Sequence, residues 1–170
     1  APCAGSAVPA ITPRLWAESW VRAQVLPVPA PRIGVGRFVV GLDAFLETGT
    51  SLRLERVDAS PFGSAVLSLR SDVVVDWGDG RGEDTGPFAS VGGPYPGGDI
   101  THVYQEMGFY DVVVTQRWTL DWSVGGAGGT INGVETTGTL ADFEVFAVEA
   151  VIVDPGARGP SPTIARDPGE

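Results

Sequence analysis

Between residues 109 and 124 the chain alternates with a period of two for longer than a single strand usually lasts. Tyr110, Val112, Val114, Trp118, Leu120, Trp122 and Val124 share one parity, while Asp111, Arg117, Thr119, Asp121 and Ser123 share the other. A helix would scatter these apolar residues around its circumference, whereas a strand sends them all to one face. The segment is predicted to be a long half-buried strand, with a bulge or bend near Gln116 to accommodate its length. Its apolar face needs a second layer to cover it.

The rest of the chain supplies candidates for that layer. Phe38, Val40 and Leu42 alternate, as do the residues of 52–57, and Val66–Leu69 precedes a further run from Asp72 to Trp77. Twenty-four Gly and 14 Pro punctuate these runs, and helical segments do not alternate with them. That pattern predicts an all-β antiparallel sandwich. Residues 78–100 have no periodicity, and Gly125-Gly126-Ala127-Gly128-Gly129 reads as a flexible hairpin connection or a short linker. The closing strand region is expected at 139–153, where both parities are apolar. A strand apolar on both sides is covered on both sides. Phe146, Val148, Ala150 and Ile152 are therefore the candidate interaction face, to be covered by the N-terminal helix or by a partner.

That helix is expected over residues 14–26. Trp16, Trp20 and Ala23 line one side of it, Pro13 suits its start, and Pro27 stops it. Pro27-Val28-Pro29-Ala30-Pro31 is a stiff extended linker. The organisation that follows is an N-terminal arm, helix and Pro-rich linker over 1–34, a sandwich over 35–153, and an extended tail over 154–170. The terminal arms, 1–13 and 154–170, are held either by the chain's own sandwich or as extended straps across neighbouring subunits, and at least one of them is expected to contact another chain.

The 170 residues are enough for a full core, and an apolar fraction of 43% excludes a disordered chain. Val73, Val75, Trp77, Tyr110, Val112, Val114 and Trp118 are expected to fill the space between two sheets. The net charge is −10 and all 11 basic residues are Arg, scattered along the chain, which argues against nucleic acid and against an anionic membrane surface. No apolar run approaches the ~18 residues of a membrane-spanning helix. Cys3 is the only cysteine, so an intrachain disulfide is excluded. The first residues, Ala-Pro-Cys-Ala-Gly-Ser-Ala, look like a chain after signal-peptide removal, which predicts a secreted or cell-surface protein.

One motif is more specific. Residues 73–80 read Val-Val-Val-Asp-Trp-Gly-Asp-Gly, and 102–112 read His-Val-Tyr-Gln-Glu-Met-Gly-Phe-Tyr-Asp-Val. Together these resemble the PKD domain, an immunoglobulin-like sandwich of secreted and surface proteins that usually serves as a spacer or adhesion module. Trp77, Asp79, Gly80, His102, Tyr104, Gly108 and Tyr110 carry the resemblance. The stretch from the Trp-rich helix to Trp118-Thr-Leu-Asp-Trp also resembles exported actinobacterial proteins with a PKD-like core, for which no activity is established. The chain departs from the PKD pattern in a longer segment between Gly80 and His102.

The chemistry that these residues could carry is limited. His102 is the only histidine, and no Gly-x-Ser-x-Gly elbow accompanies it. With one His and one distant Cys, a His/Cys zinc site is excluded. Asp76, Asp79, Glu83 and Asp84 crowd one turn and are candidate calcium ligands, although their spacing is not that of an EF-hand and Arg81 sits among them. Turn-capping is the simpler role, and no cofactor is expected. Phe88 and Tyr95 are the aromatics of the long loop and the basis for an alternative, a carbohydrate-binding module; a glycan-acting enzyme is a third reading, with no carboxylate pair singled out among 21 acids. The leading expectation is a non-catalytic module whose partners are other protein subunits of an extracellular assembly.

Overall fold

The alternating segment forms one strand in the computed structural model, which describes residues 10–34 and 37–149. In chain order the elements are α1 (Pro13–Ala23), β1 (Arg32–Ile33), β2 (Arg37–Val39), β3 (Asp43–Glu47), β4 (Arg53–Ser60), β5 (Gly63–Asp76), β6 (Thr101–Val103), β7 (Gly108–Val124) and β8 (Ala127–Phe146). In β7 every even-numbered side chain from Val112 to Val124 is buried. The register shifts lie at Tyr110/Val112 and Trp118/Leu120, the second just beyond Gln116, near which one was expected. Gln116 is fully buried yet partnered. Its amide donates to Ser51 O and Ser71 Oγ, both at 3.1 Å, which holds the strand in line at that point.

The strands form two sheets, one ordered β1-β3-β6 and the other β2-β8-β7-β5-β4. The described residues are thus mostly β with one short helix. The expectation of a wholly antiparallel sandwich needs one correction, because β2 runs parallel to β8. Alternation records which face a residue takes and says nothing of strand direction. A parallel pair is joined through distant chain, here everything between the two strands.

Of the two readings of the glycine-rich segment, the structure takes the hairpin, and with a shorter turn than five residues. Val124 pairs with Ala127 across a turn of two residues, Gly125 and Gly126, whose φ values are +55° and +79°. Two positive φ values in succession are what the tightest hairpin turn requires, and glycine supplies them without strain. Gly128 and Gly129 already belong to β8, which begins well before the expected residue 139 and ends at Phe146.

Two clusters of buried residues lie along the long strands. The first fills the space between the sheets and contains Ile33, Leu46, Val73, Val75, Trp77, Ile100, Tyr104, Val112, Val114, Phe143 and Val145. Tyr110 packs against it half-buried. The second contains Leu67, Leu69, Trp118, Leu120, Trp122 and Val124, together with Ala17, Trp20 and Val21 of α1 and Leu26 beyond it. Trp118 is buried as expected, but under the helix and not between the sheets. The three long strands outrun the small sheet, so α1 covers the part that β1, β3 and β6 do not reach.

The Thr12 hydroxyl caps α1 by accepting from Leu15 N at 3.2 Å, and Pro13 occupies its first turn. The helix ends at Ala23, short of the expected Leu26, because residues before Pro27 are pushed out of helical geometry. Trp20 Nε1 donates to Asp58 Oδ2 at 2.8 Å, tying the helix to β4. The following linker is tied down at Pro27, Pro29 and Ala30. Trp118 Nε1 donates to Thr136 Oγ1 at 3.0 Å, and that hydroxyl donates to Pro27 O at 2.8 Å. Ala30 N donates to Thr48 O at 2.9 Å at the end of β3. A side chain at Gly138 would overlap the Pro29 carbonyl, so glycine lets the linker cross β8 in contact with its backbone.

The helix does not cover the end of β8, which was one expected cover for residues 143–153. Phe143 and Val145 face the first core, Phe146 is half-buried, and Val148 is 65% exposed beyond the strand. Ala150, Ile152, the tail 154–170 and residues 1–9 of the first arm, Cys3 among them, lie outside the described residues. Among the described residues, no helix is long and apolar enough to cross a membrane.

Candidate functional site

The motif residues converge at the end of β5. Trp77 is buried to 2% exposure, and its indole N–H donates to Asp84 O at 2.8 Å. The Tyr104 hydroxyl donates to Trp77 O at 3.0 Å. His102, from β6, lies flat against Trp77 with centroids 4.9 Å apart and planes 15° from parallel, and meets Tyr104 edge-on at 4.8 Å. Tyr104 in turn stacks on Tyr110 at 4.6 Å, and the Tyr110 hydroxyl donates to Glu106 O at 3.0 Å. Gly78, at φ +78°, passes so close to β7 that a Cβ there would stand 2.6 Å from Asp111 O.

His102 is 1% exposed, and both of its ring nitrogens face carboxylates. Nε2 lies 2.8 Å from Asp79 Oδ2, and Nδ1 lies 3.1 Å from Asp84 Oδ2. A ring protonated on both nitrogens donates to both acids at once. Asp84 adopts φ +52°, a left-handed conformation uncommon outside glycine, and its carbonyl and carboxylate are both engaged in these contacts.

The other acids of the turn have separate tasks. Asp76 Oδ1 accepts from Gly78 N at 2.9 Å, and Asp79 Oδ1 accepts from Arg81 N at 3.1 Å. Both are local turn caps of the kind Asp provides. Arg81 reaches toward Asp79 at 3.9 Å and Glu106 at 3.7 Å, and Glu83 is exposed. The four candidate calcium ligands therefore do not converge on one point. Among the described residues, no three His, Cys, Asp or Glu side chains gather in a group that could hold a metal ion.

These contacts set the local electrostatics. Burial pushes the Asp79 carboxyl upward. The Arg81 N–H, the hydrogen bond and charge of His102 and the charge of Arg81 together outweigh it, leaving the group below its ordinary value of 3.8. Burial, with the Asp79 carboxylate nearby, drives the Tyr104 phenol far upward, so it remains a donor to Trp77 O. Burial and then Glu106 raise Tyr110 as well.

The two loop aromatics separate. Phe88 turns inward and exchanges two backbone hydrogen bonds with Val73, at 2.9 and 2.8 Å, which adds a short rung beside β5. Tyr95 stays outside, 78% exposed. Its loop is fastened along β3, with Thr48 N donating to Val91 O at 2.9 Å and Gly93 N donating to Leu46 O at 3.1 Å. The Tyr95 ring stands edge-on to Phe45, centroids 5.4 Å apart at 85°. With Gly34, Phe38, Leu42 and Asp43 the pair lines a cleft of about 410 Å³.

Of these residues only Tyr95 was identified from sequence. Phe38 and Leu42 alternate in the sequence as strand positions. The structure instead ends β2 at Val39 and leaves Leu42 55% exposed in the following turn. Phe45 and Asp43 alternate with buried Ala44 and Leu46 along β3, so their outward face was readable once that strand was placed. Of the five tryptophans, four are buried and Trp16 is half-buried against the second core, as their positions on apolar faces led one to expect. No protein-family model, curated protein or solved structure matches the chain.

Proposed function

We propose that the chain is a non-catalytic structural or interaction module of the PKD-like immunoglobulin type, exported and serving as a subunit or accessory protein of a cell-surface assembly. The observation that carries this reading is the state of His102. The only imidazole in the chain is sealed under Trp77 with both nitrogens committed to Asp79 and Asp84. A general base needs a nitrogen within reach of a substrate proton, and neither nitrogen is available for one. The same contacts tie β5, β6 and the intervening turn together, which is what a scaffold requires. The PKD-like type is supported by the use of Trp77, Asp79, His102, Tyr104 and Tyr110 in one interlocked group between two sheets. The test is surface labelling of intact source cells that carry a tagged chain, followed by crosslinking. The expected outcome is a labelled chain recovered in a discrete larger complex; a chain protected from label inside the cell overturns the reading.

The exposed Tyr95 and its cleft favour a second reading, a carbohydrate-binding module. Glycan-array binding that saturates and is lost in Tyr95→Ala would support it over the first.

A further inference from the structure

The cleft beside Tyr95 has an unusual balance of chemistry. Its walls are the rings of Phe38, Phe45 and Tyr95 and the side chain of Leu42, while the only charge on the described lining is Asp43. The Asp43 carboxylate is exposed and has no hydrogen bond or ion pair among the described residues. The molecule around it carries a net charge of −10.

We infer that this cleft receives the guanidinium of an arginine side chain from a protein partner. Aromatic faces are electronegative and attract a cation placed over them. A guanidinium is planar and weakly hydrated, stacks on rings, and forks onto a carboxylate, so one group uses both the rings and Asp43. Its methylene stem suits the Leu42 and Phe38 walls. The acidic surface steers a basic segment toward the site and repels an anionic one. A neutral sugar fits less well. It presents many hydroxyls, and the side chains on the described lining answer with one carboxylate and the Tyr95 phenol. The inference rests on the interaction-module reading and names the chemistry of its partner.

The test is an NMR titration of the full chain with the blocked peptide acetyl-Gly-Arg-Gly-amide at millimolar concentration, beside the same peptide with neutral citrulline in place of arginine. Saturable shifts are expected at Phe38, Leu42, Asp43, Phe45 and Tyr95 with arginine and not with citrulline. Asp43→Asn and Tyr95→Ala are each expected to weaken binding by about fivefold. Both positions are exposed, so the variants keep the fold, and unchanged spectra elsewhere verify this. Equal shifts with citrulline, shifts spread over the acidic surface, or Tyr95-dependent binding of a neutral oligosaccharide in preference to arginine would each overturn the proposal. A chain that binds the arginine peptide but enters no surface complex overturns the assembly reading alone. A chain that enters the complex but ignores the peptide overturns this inference alone.

Discussion

Asp79 joins a buried imidazole to a turn, and that makes its charge matter to stability. Its carboxyl lies below the ordinary value because Arg81 N and His102 favour the ionised form in the folded chain. A carboxyl depressed by folding contributes stability that is complete above its unfolded value and is lost as pH falls through the folded one. The contribution of Asp79 is thus present at neutral pH and fades below 3.8. Asp79→Asn should cost about 1–3 kcal/mol at pH 7, since it leaves His102 with a poorer acceptor. The gap to the parent chain should narrow by pH 3, as read from urea midpoints at the two pH values. A gap of constant size would show that the charge of Asp79 does not contribute. Two tryptophans make a second comparison. Trp118 Nε1 donates to Thr136, whereas Trp122 Nε1 is buried without a partner among the described residues. Replacing each by Phe removes the indole N–H from both sites. Trp118→Phe should cost about 1–3 kcal/mol through the stranded Thr136–Pro27 relay and lost volume, and Trp122→Phe at least 1 kcal/mol less, in parallel denaturant titrations.

At the scale of elements, α1 acts as half of a missing sheet. The small sheet stops short of Trp118, Leu120, Trp122 and Val124, and the helix supplies the apolar surface that covers them. Deleting residues 10–26 should expose that face. The expected result is binding of a hydrophobic dye and loss of amide protection over 118–134, with protection kept at 73–77 and 110–114. Protection lost equally in both regions would mean that the helix supports the whole molecule. The long strands were legible in part, β7 best of all, whereas β1, β3, β6 and the first half of β8 were not. The alternation of β7 is a local property, since each residue's face follows from its neighbour's, and the strand appears at 108–124 against an expected 109–124. What sequence pattern could not convey is what depends on distant chain. The direction of β2 beside β8, the helix lying over Trp118 in place of the end of β8, and the placing of Phe45 beside Tyr95 are all of this kind. The Gly-rich segment left hairpin and linker both open for a different reason. Five flexible residues in a row suit either, and only pairing of the flanking strands shows that a hairpin forms and that two of them suffice. The acidic turn had two readings from sequence because carboxylates that cap turns and carboxylates that gather around an ion have the same composition.

Across the whole molecule, two cores are strung along the same strands, with buried Gln116 between them. Val112 and Val124 sit on one face of one strand yet belong to different cores. Val112→Ala and Val124→Ala should each cost about 2 kcal/mol. Their effects should add to within about 0.5 kcal/mol in the double variant, because they share no packing partner. A larger departure would mean that β7 transmits repacking through Gln116. The parallel pairing of β2 with β8 bears on a property of another kind, resistance to tension. A load that pulls residues before β2 away from residues after β8 draws these two strands lengthwise past each other. Their rungs, at Arg37–Glu144, Phe38–Val145 and Val39–Phe146, then bear the load together, whereas an antiparallel pair pulled from its open end would unzip one rung at a time. In a pulling experiment the chain should give way in one abrupt rupture at this clamp, and Val40→Pro, which removes the N–H that donates to Phe146 O at the clamp's end, should lower the rupture force.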